Sequence, residues 1–301
     1  MKAIVFDGYG GPEVLRVAQV DVPRPGPGQV RLRVRAAGVN QLDFKIRSGG
    51  LQQVFPTTFP ATPGLEAAGV VDEVGPGVTE LTAGDEVIAF TDTGGYAEYA
   101  LATVVTRKPA DLSWDEAAAL PVAGETSQRV LDLLAVKAGE TLLVHGAAGA
   151  VGGLAVQLAI ARGAIVIGTA SPANHEYLRS LGVLPVAYGD GLVARVHALT
   201  PQGVDAVFDA AGQNALPDSI ELRGGTPERV VTIADPTAAR LGVTFSSGGQ
   251  GPAELLAEHA RLAAAGTLRI EVAQTFRLAE ADKAQQQSAT GHTRGKLVLR
   301  P

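Results

Sequence analysis

The amino-acid sequence predicts an α/β protein built from a β-rich part and a parallel sheet covered by helices. Over roughly the first hundred residues, short apolar stretches alternate with turns rich in Gly and Pro, as in a barrel or folded sheet. Beyond residue 113, continuous apolar strands alternate with helices, which is typical of a parallel sheet with helices on both faces. A chain of 301 residues, 46% of them hydrophobic, can bury a sizeable core in one large or two medium domains.

The composition excludes several classes of function. A net charge of -6 argues against a surface made for nucleic acid. The absence of Cys excludes disulfides, a thiolate nucleophile and a Cys-ligated zinc. The sequence has neither a G-x-S-x-G nucleophile motif nor a P-loop, which argues against hydrolases and NTPases. Because no apolar stretch is long enough for a membrane span and the start does not resemble a targeting segment, we expect a cytoplasmic protein with no membrane partner.

Three strands are predicted in the β-rich part. Residues 30–36 alternate apolar residues with three arginines, a pattern that predicts a half-buried strand with its arginines on the solvated face. Apolar residues also predict strands at 68–74 and 86–90, which are separated by turns at 75–77 and 84–85.

The alternating part begins with a helix signal. Ser113 and Glu116 fit a capping box, which predicts a helix over 114–120 that Pro121 stops. Strands are predicted at 141–145, 164–170, 204–209, 229–234 and 243–245. A nearly all-apolar helix is predicted at 151–162, between the first two of these strands. A further helix is expected at 252–265, and a last strand at 297–299.

The segment 144–152 has the pattern of a dinucleotide-binding turn, because it follows an apolar strand and opens an apolar helix. In such a turn Gly149 lets the backbone approach a pyrophosphate, and Gly152 lets the helix pack closely. Ala147 stands where the G-x-G-x-x-G pattern has its first glycine. The alternative is a tight strand–helix turn without a ligand.

The residues after the predicted strand at 164–170 favour NADPH over NADH. An NAD-binding turn carries Asp or Glu at this point to hold the ribose hydroxyls. Here no acid occurs before Glu176, whereas Ser171 and Asn174 can donate hydrogen bonds to a 2′-phosphate. No Arg or Lys lies in this turn to bind that phosphate.

Four segments together resemble the zinc-independent quinone oxidoreductase (zeta-crystallin-like) branch of the medium-chain dehydrogenase/reductase superfamily. They are the cofactor turn at 136–152, the N-terminal loop at 37–49, the segment 63–71 and the closing strand at 291–299. In the third segment Leu65 stands where zinc-dependent relatives have a metal-binding His, so the resemblance implies no metal site.

The resemblance implies a Rossmann doubly wound parallel sheet plus a GroES-like β-rich catalytic domain. Residues 1–116 and 248–301 are expected to form the GroES-like catalytic domain, and residues 117–247 the Rossmann dinucleotide-binding domain. The cofactor cleft is expected between the two domains. The resemblance also implies a homodimer formed through an edge of the Rossmann sheet.

The resemblance further implies which residues contact the cofactor. Asn40 is expected beside the nicotinamide, and Tyr188 is expected to hold the adenosine phosphate. The predicted cofactor-binding residues are Asn40, Thr126, Ala147, Gly149, Ala150, Val151, Ser171, Asn174, Tyr188, Ala211, Gly212, Ile233, Ala234, Phe245 and Ser246.

Asn40 and Lys45 are the candidate catalytic residues. Lys45 stands where some relatives carry a Tyr, and it is either a replacement proton donor or a solvated lysine. Asp43, in the same loop, is expected to fix the loop as a hydrogen-bond acceptor.

The resemblance implies hydride transfer from NADPH to a quinone or an α,β-unsaturated carbonyl compound, without zinc. Two alternatives stay open: an enoyl-thioester reductase, and a non-catalytic NADPH-binding protein with a regulatory or structural role. The expected partner is a small-molecule substrate; nucleic acid is the weakest option because of the negative charge.

Overall fold

The structure is a computed structural model that describes residues 1–301. Its strands are β1 (Lys2–Val5), β2 (Arg16–Gln19), β3 (Val30–Val39), β4 (Glu66–Val74), β5 (Glu86–Phe90), β6 (Tyr99–Ala102), β7 (Val105–Arg107), β8 (Thr141–His145), β9 (Ile165–Thr169), β10 (Leu184–Val186), β11 (Ala206–Asp209), β12 (Val230–Thr232), β13 (Thr244–Phe245), β14 (Val272–Arg277) and β15 (Lys296–Arg300). Its α-helices are α1 (Gln41–Arg47), α2 (Trp114–Ala119), α3 (Pro121–Leu133), α4 (Ala150–Ala161), α5 (His175–Ser180), α6 (Leu192–Leu199), α7 (Leu216–Leu222), α8 (Ala253–Ala264) and α9 (Ala281–Ala289).

The chain forms two compact units. The first consists of Met1–Val122 and Gln250–Pro301, and the second is Ala123–Gly249. None of the helices is long and apolar enough to span a membrane.

The first unit is built on a seven-stranded sheet of order β14-β15-β3-β4-β5-β7, with β6 also paired to β3. All neighbours are antiparallel except β14 and β15. Along β3, Val30, Leu32 and Val34 are buried while Arg33 and Arg35 are exposed, which confirms the predicted alternation. Because β15 pairs with β3, the last strand of the chain completes the sheet that the first hundred residues begin.

The second unit contains a six-stranded parallel sheet of order β10-β9-β8-β11-β12-β13. From β8 the chain winds outward through β9 and β10, and then returns to add β11, β12 and β13 on the other side of β8. This is the Rossmann doubly wound order, with its switch point between β8 and β11. Apolar side chains such as Leu143, Ile167 and Val207 form its core.

The helix predicted over 114–120 corresponds to α2, which ends before Pro121 as expected. The helix α3 was missed; it begins at Pro121, because the first helical position has no use for an N–H donor. The segment 37–49, expected to be a loop, contains the helix α1. The strand β10 was missed, since it has only three residues and one of them is Pro185. The predicted helix at 151–162 and the strand at 141–145 correspond to α4 and β8.

Candidate functional site

In the second unit, the predicted cofactor-binding residues gather at one edge of the parallel sheet. Since all six strands are parallel, their carboxyl ends meet at that edge, where open α/β sheets bind ligands. The residues at or just beyond these ends include Ala147, Ser171, Tyr188, Ala211, Ile233 and Ser246.

The turn after β8 explains why Ala147 can replace the expected first glycine. The left-handed position of the turn is Gly146, with φ +71°, whereas Ala147 has no positive φ. The Ala147 side chain is fully buried against Gly168 of β9, where an added Cβ would come within 2.7 Å of the Ala147 Cβ. The missing side chain of Gly168 therefore leaves room for the methyl group of Ala147.

Two glycines at the start of α4 have different surroundings. A Cβ on Gly152 would lie 2.2 Å from the carbonyl oxygen of Gly146, so the close approach of helix and turn requires glycine there. A Cβ on Gly149, the N-cap residue, would meet only that same oxygen, at 3.4 Å. Gly149 therefore faces open space rather than protein.

The N-terminus of α4 can bind an anion. No side chain caps the helix at Gly149, and no acidic residue lies in its first turn. The N–H groups of the first turn, which include those of Ala150 and Val151, have no acceptor within the helix. Uncapped N–H groups, an open glycine face and the positive end of the helix dipole fit the pyrophosphate of a dinucleotide.

The loops after β11 and β12 are held by a buried carboxylate. Asp209 accepts hydrogen bonds from the backbone N–H groups of Ala211 at 3.0 Å and Gly212 at 2.9 Å, and from the Thr232 hydroxyl at 2.7 Å. The Thr232 oxygen in turn accepts from the N–H of Ala234 at 3.0 Å. Asp209 and Thr232 thereby fix three predicted cofactor residues, Ala211, Gly212 and Ala234.

The ends of β9 and β10 lie side by side, which brings the turns carrying Ser171 and Tyr188 next to each other. Asn174 donates from Nδ2 to the Ser171 hydroxyl at 3.2 Å, and the Tyr188 side chain is half exposed. Arg195 on α6 donates to the carbonyl oxygens of all four residues of the turn 187–190, at 2.7 to 3.3 Å. A guanidinium group thus supports the Tyr188 turn, and sequence analysis missed it because its partners are main-chain atoms.

At the end of β13, Ser246 is tied to α3. Arg129 donates to the Ser246 hydroxyl and forms an ion pair with Glu125 at 2.7 Å. Thr126 follows Glu125 on the same helix and is buried, whereas Phe245 is half exposed. The structure thus places the predicted residue Ser246 beside the helix that carries Thr126.

In the first unit, Asn40 belongs to a buried polar cluster. Its Oδ1 accepts from the Lys296 ammonium at 2.6 Å, and its Nδ2 donates to Glu66 at 2.8 Å. Lys296 and Glu66 form an ion pair at 2.5 Å, with side chains 3% and 0% exposed. The second Glu66 oxygen accepts from the backbone N–H of Val122 at 2.7 Å. Sequence analysis found Asn40 but not its two charged partners.

Asp43 fixes the start of α1, as predicted. One of its oxygens accepts from the Asn40 backbone N–H and from the Tyr96 hydroxyl, both at 2.8 Å. Burial raises the pKa of Asp43 to about 7, although these hydrogen bonds and the Lys296 charge oppose the rise. Lys45 is partly buried rather than fully solvated, and this burial lowers the pKa of its ammonium group.

No three His, Cys, Asp or Glu side chains gather as they would around a metal ion. Leu65, which occupies the position of the metal-binding His of zinc-dependent relatives, precedes β4. His145, at the end of β8, is buried and lies 3.0 Å from the Ser219 hydroxyl, and burial lowers its pKa. His145 therefore serves as a neutral core residue.

Comparison with known proteins finds similarity over the whole chain. One family model, described as an alcohol dehydrogenase GroES-like domain, matches residues 26–109, and another, described as a zinc-binding dehydrogenase, matches residues 181–299. The chloroplast envelope quinone oxidoreductase homolog of Arabidopsis thaliana is 33% identical over 100% of this chain and 98% of its own length.

Two solved structures resemble the fold closely. The quinone oxidoreductase from Coxiella burnetii superposes with a TM-score of 0.90 at 34% identity, covering 100% of this chain and 99% of that chain. The quinone oxidoreductase of Escherichia coli, solved in complex with NADPH, superposes with a TM-score of 0.88 at 27% identity, covering 100% of both chains.

Proposed function

Because the chain belongs to the zinc-independent quinone oxidoreductase branch of the medium-chain dehydrogenase/reductase superfamily, we propose that it reduces a quinone or an α,β-unsaturated carbonyl compound with NADPH. The observation that carries the proposal is the uncapped N-terminus of α4 with the open face of Gly149. When bound, NADPH supplies the hydride, and the chain supplies binding and orientation.

The second unit would hold the dinucleotide along the carboxyl ends of its parallel strands. Backbone N–H groups of Ala150 and Val151 bind the pyrophosphate, and Gly149 allows it to approach. The loops fixed by Asp209 line the path from there toward the nicotinamide end. Ser246 directly follows β13 and so lies at the carboxyl ends of the same parallel strands.

The preference for NADPH is supported by the turns after β9 and β10. Ser171, Asn174 and Tyr188 offer hydrogen-bond donors to a 2′-phosphate, and no carboxylate from the segment 170–175 repels it. Arg195 adds a positive charge to the base of the Tyr188 turn.

In the first unit, Asn40 is the proposed donor to the substrate oxygen on which negative charge develops as hydride arrives at carbon. A donor fixed in advance stabilises that charge without reorganisation during the reaction. Lys45 is the proposed proton source, since partial burial lowers the pKa of its ammonium and eases release of the proton.

The test is NADPH oxidation at 340 nm with a 1,4-benzoquinone, an ortho-quinone, a short enal and an enoyl thioester, using NADH as the control cofactor. Turnover with a quinone or the enal, at higher kcat/KM for NADPH than for NADH, supports the proposal. Turnover with the thioester alone identifies an enoyl-thioester reductase. No turnover with any acceptor, while NADPH still raises the melting temperature, identifies a non-catalytic NADPH-binding protein.

We also propose a homodimer formed through β13, which is an edge strand of the six-stranded sheet. Both residues of β13 are exposed in the single chain, including the aromatic side chain of Phe245. Sedimentation should give about twice the chain mass of 30.8 kDa. A single species of chain mass at micromolar concentration would refute the dimer.

A further inference from the structure

The side chain of Asn40 makes contacts far beyond the helix that it begins. Asn40 is the N-cap residue of α1, where it forms a capping box with Asp43. Its amide also contacts Lys296 and Glu66, which lie 256 and 26 residues away along the chain.

The charges of these two partners fix which way the amide faces. An ammonium group only donates hydrogen bonds, so Lys296 must face the amide oxygen of Asn40. An ionised carboxylate only accepts, so Glu66 must face the amide nitrogen. A flipped amide would set N–H groups against the ammonium and a carbonyl oxygen against the carboxylate. The ion pair therefore allows one orientation only.

This arrangement leaves one hydrogen-bond donor for a ligand. Nδ2 carries two hydrogens, and Glu66 accepts one of them. The second has no acceptor in the structure, although the Asn40 residue is only 9% exposed.

Packing alone does not explain why an ion pair is buried at this position. Both charged side chains are almost fully buried, and a buried pair often stabilises a fold no better than apolar side chains of similar size. The backbone N–H of Val122 donates to the second carboxylate oxygen of Glu66. The first oxygen therefore contacts only the Lys296 ammonium and the Asn40 amide.

We propose that Lys296 and Glu66 are positioning residues that lock the Asn40 amide, so that its free Nδ2 hydrogen is presented to the oxygen of the electron-accepting substrate. This inference rests on the proposed function and extends it to two residues outside the predicted site. Removing the lock lets the amide rotate and flip, which lowers the rate of reduction and leaves cofactor binding by the second unit intact.

The test is a double-mutant cycle on the full chain, with 1,4-benzoquinone as the acceptor. The double exchange Lys296→Met and Glu66→Gln removes both charges together and so leaves no unpaired buried ion. We expect kcat to fall about 10- to 100-fold, since displacing a reacting group by about 1 Å has effects of this size. The KM for NADPH should change by less than about threefold, because the pair belongs to the first unit and the dinucleotide is proposed to bind along the second.

The decisive step repeats the double exchange in an Asn40→Ala chain. If the pair acts through Asn40, the exchange has no further effect on kcat there, because its target is already gone. Lys108→Met is the matched control, because it also removes a buried lysine of the first unit, one paired with Glu86 at 3.0 Å, and it should leave kcat unchanged.

Equal falls in kcat with and without Asn40 would overturn the inference and assign the pair a purely structural role. Should the uncharged pair fail to fold, the same cycle with Lys296→Arg decides the question, since Arg keeps the charge but not the position of the ammonium. A wild-type protein that reduces no acceptor refutes the proposed function and the inference with it, whereas wild-type turnover with an additive cycle refutes the inference alone.

Discussion

Three glycines of the dinucleotide turn allow cofactor binding to be separated from folding. Gly149, Gly152 and Gly153 lie within five consecutive residues, yet an added methyl group meets different atoms at each. We consider the three single exchanges to Ala. Each exchange adds one methyl group near the start of α4. Differences in stability or binding between the variants therefore arise from the atoms around each position.

The expected changes in stability follow from the space around each glycine. At Gly152 the new methyl would lie 2.2 Å from a main-chain oxygen, so the helix must shift, at a cost of about 1–3 kcal/mol. At Gly153 the nearest atom is 3.4 Å away, and the Ala variant should gain about 0.5–1 kcal/mol from its better helix propensity. At Gly149 the φ of -76° and ψ of 177° suit Ala, so the only expected loss of stability is that of a poorer N-cap residue, about 0.5–1 kcal/mol.

Binding should follow a different order from stability. The methyl of Gly149→Ala enters the space proposed for the pyrophosphate and should weaken NADPH binding at least about tenfold, or about 1.4 kcal/mol. The Gly152→Ala variant should lose both stability and binding, and Gly153→Ala should bind NADPH as the wild type does. Melting curves without ligand and NADPH fluorescence titrations measure the two quantities. Undiminished NADPH binding by a folded Gly149→Ala protein would refute the placement of the cofactor.

Three further outcomes are expected. The pKa of Asp43, raised to about 7 by burial, means that the folded protein holds a proton that the unfolded chain loses above its ordinary value of 3.8, so the free energy of unfolding should fall as pH rises toward 7. Asp43→Asn should flatten this slope in urea titrations at pH 5 and pH 8; an unchanged slope would contradict the burial argument. Arg229 lowers the pKa of Glu140 to about 2, so the ionised carboxylate stabilises the fold above 4.5, and this stabilisation is lost as pH falls toward 2. The melting temperature of Glu140→Gln should therefore be lower than that of the wild type at pH 7 and approach it at pH 3, and a constant gap would argue against the ion pair. Arg195→Met should loosen the turn of Tyr188 and raise the Kd for NADPH about three- to tenfold more than that for NADH, as measured by fluorescence titration; equal losses would deny the turn a role in cofactor choice.

The second unit could be predicted well from the sequence because its signals are local. An apolar strand at 141–145, a glycine-rich turn and an apolar helix succeed one another within about twenty residues, and their composition alone marks each of them. The helix α3 was missed for an equally local reason: Pro121 both ends α2 and begins α3, and only the chain that follows indicates the second role. The three-residue β10 is too short to show a period.

The partners of the first-unit site could not be predicted, because their distances along the chain carry no pattern. Lys296 reaches Asn40 only because β15 pairs with β3, and that pairing joins the two ends of the sequence. The sequence around Lys296 is that of an ordinary strand with a terminal charge, which predicts a solvated lysine. Lys296 is buried because the pairing of β15 with β3 places it beside Asn40 and Glu66.

The two proposed binding regions also differ in the groups that form them. The region proposed for the pyrophosphate consists of main-chain N–H groups and of the space left by Gly149 and Gly152, so it does not depend on the chemistry of side chains. The cluster around Asn40 contains two buried charges, and each is stabilised by its ion pair with the other and by hydrogen bonds to Asn40 or Val122. Because an unpaired buried ion is far more costly than an altered surface contact, variation in this chain should be tolerated least at Glu66 and Lys296 singly and better when both change together.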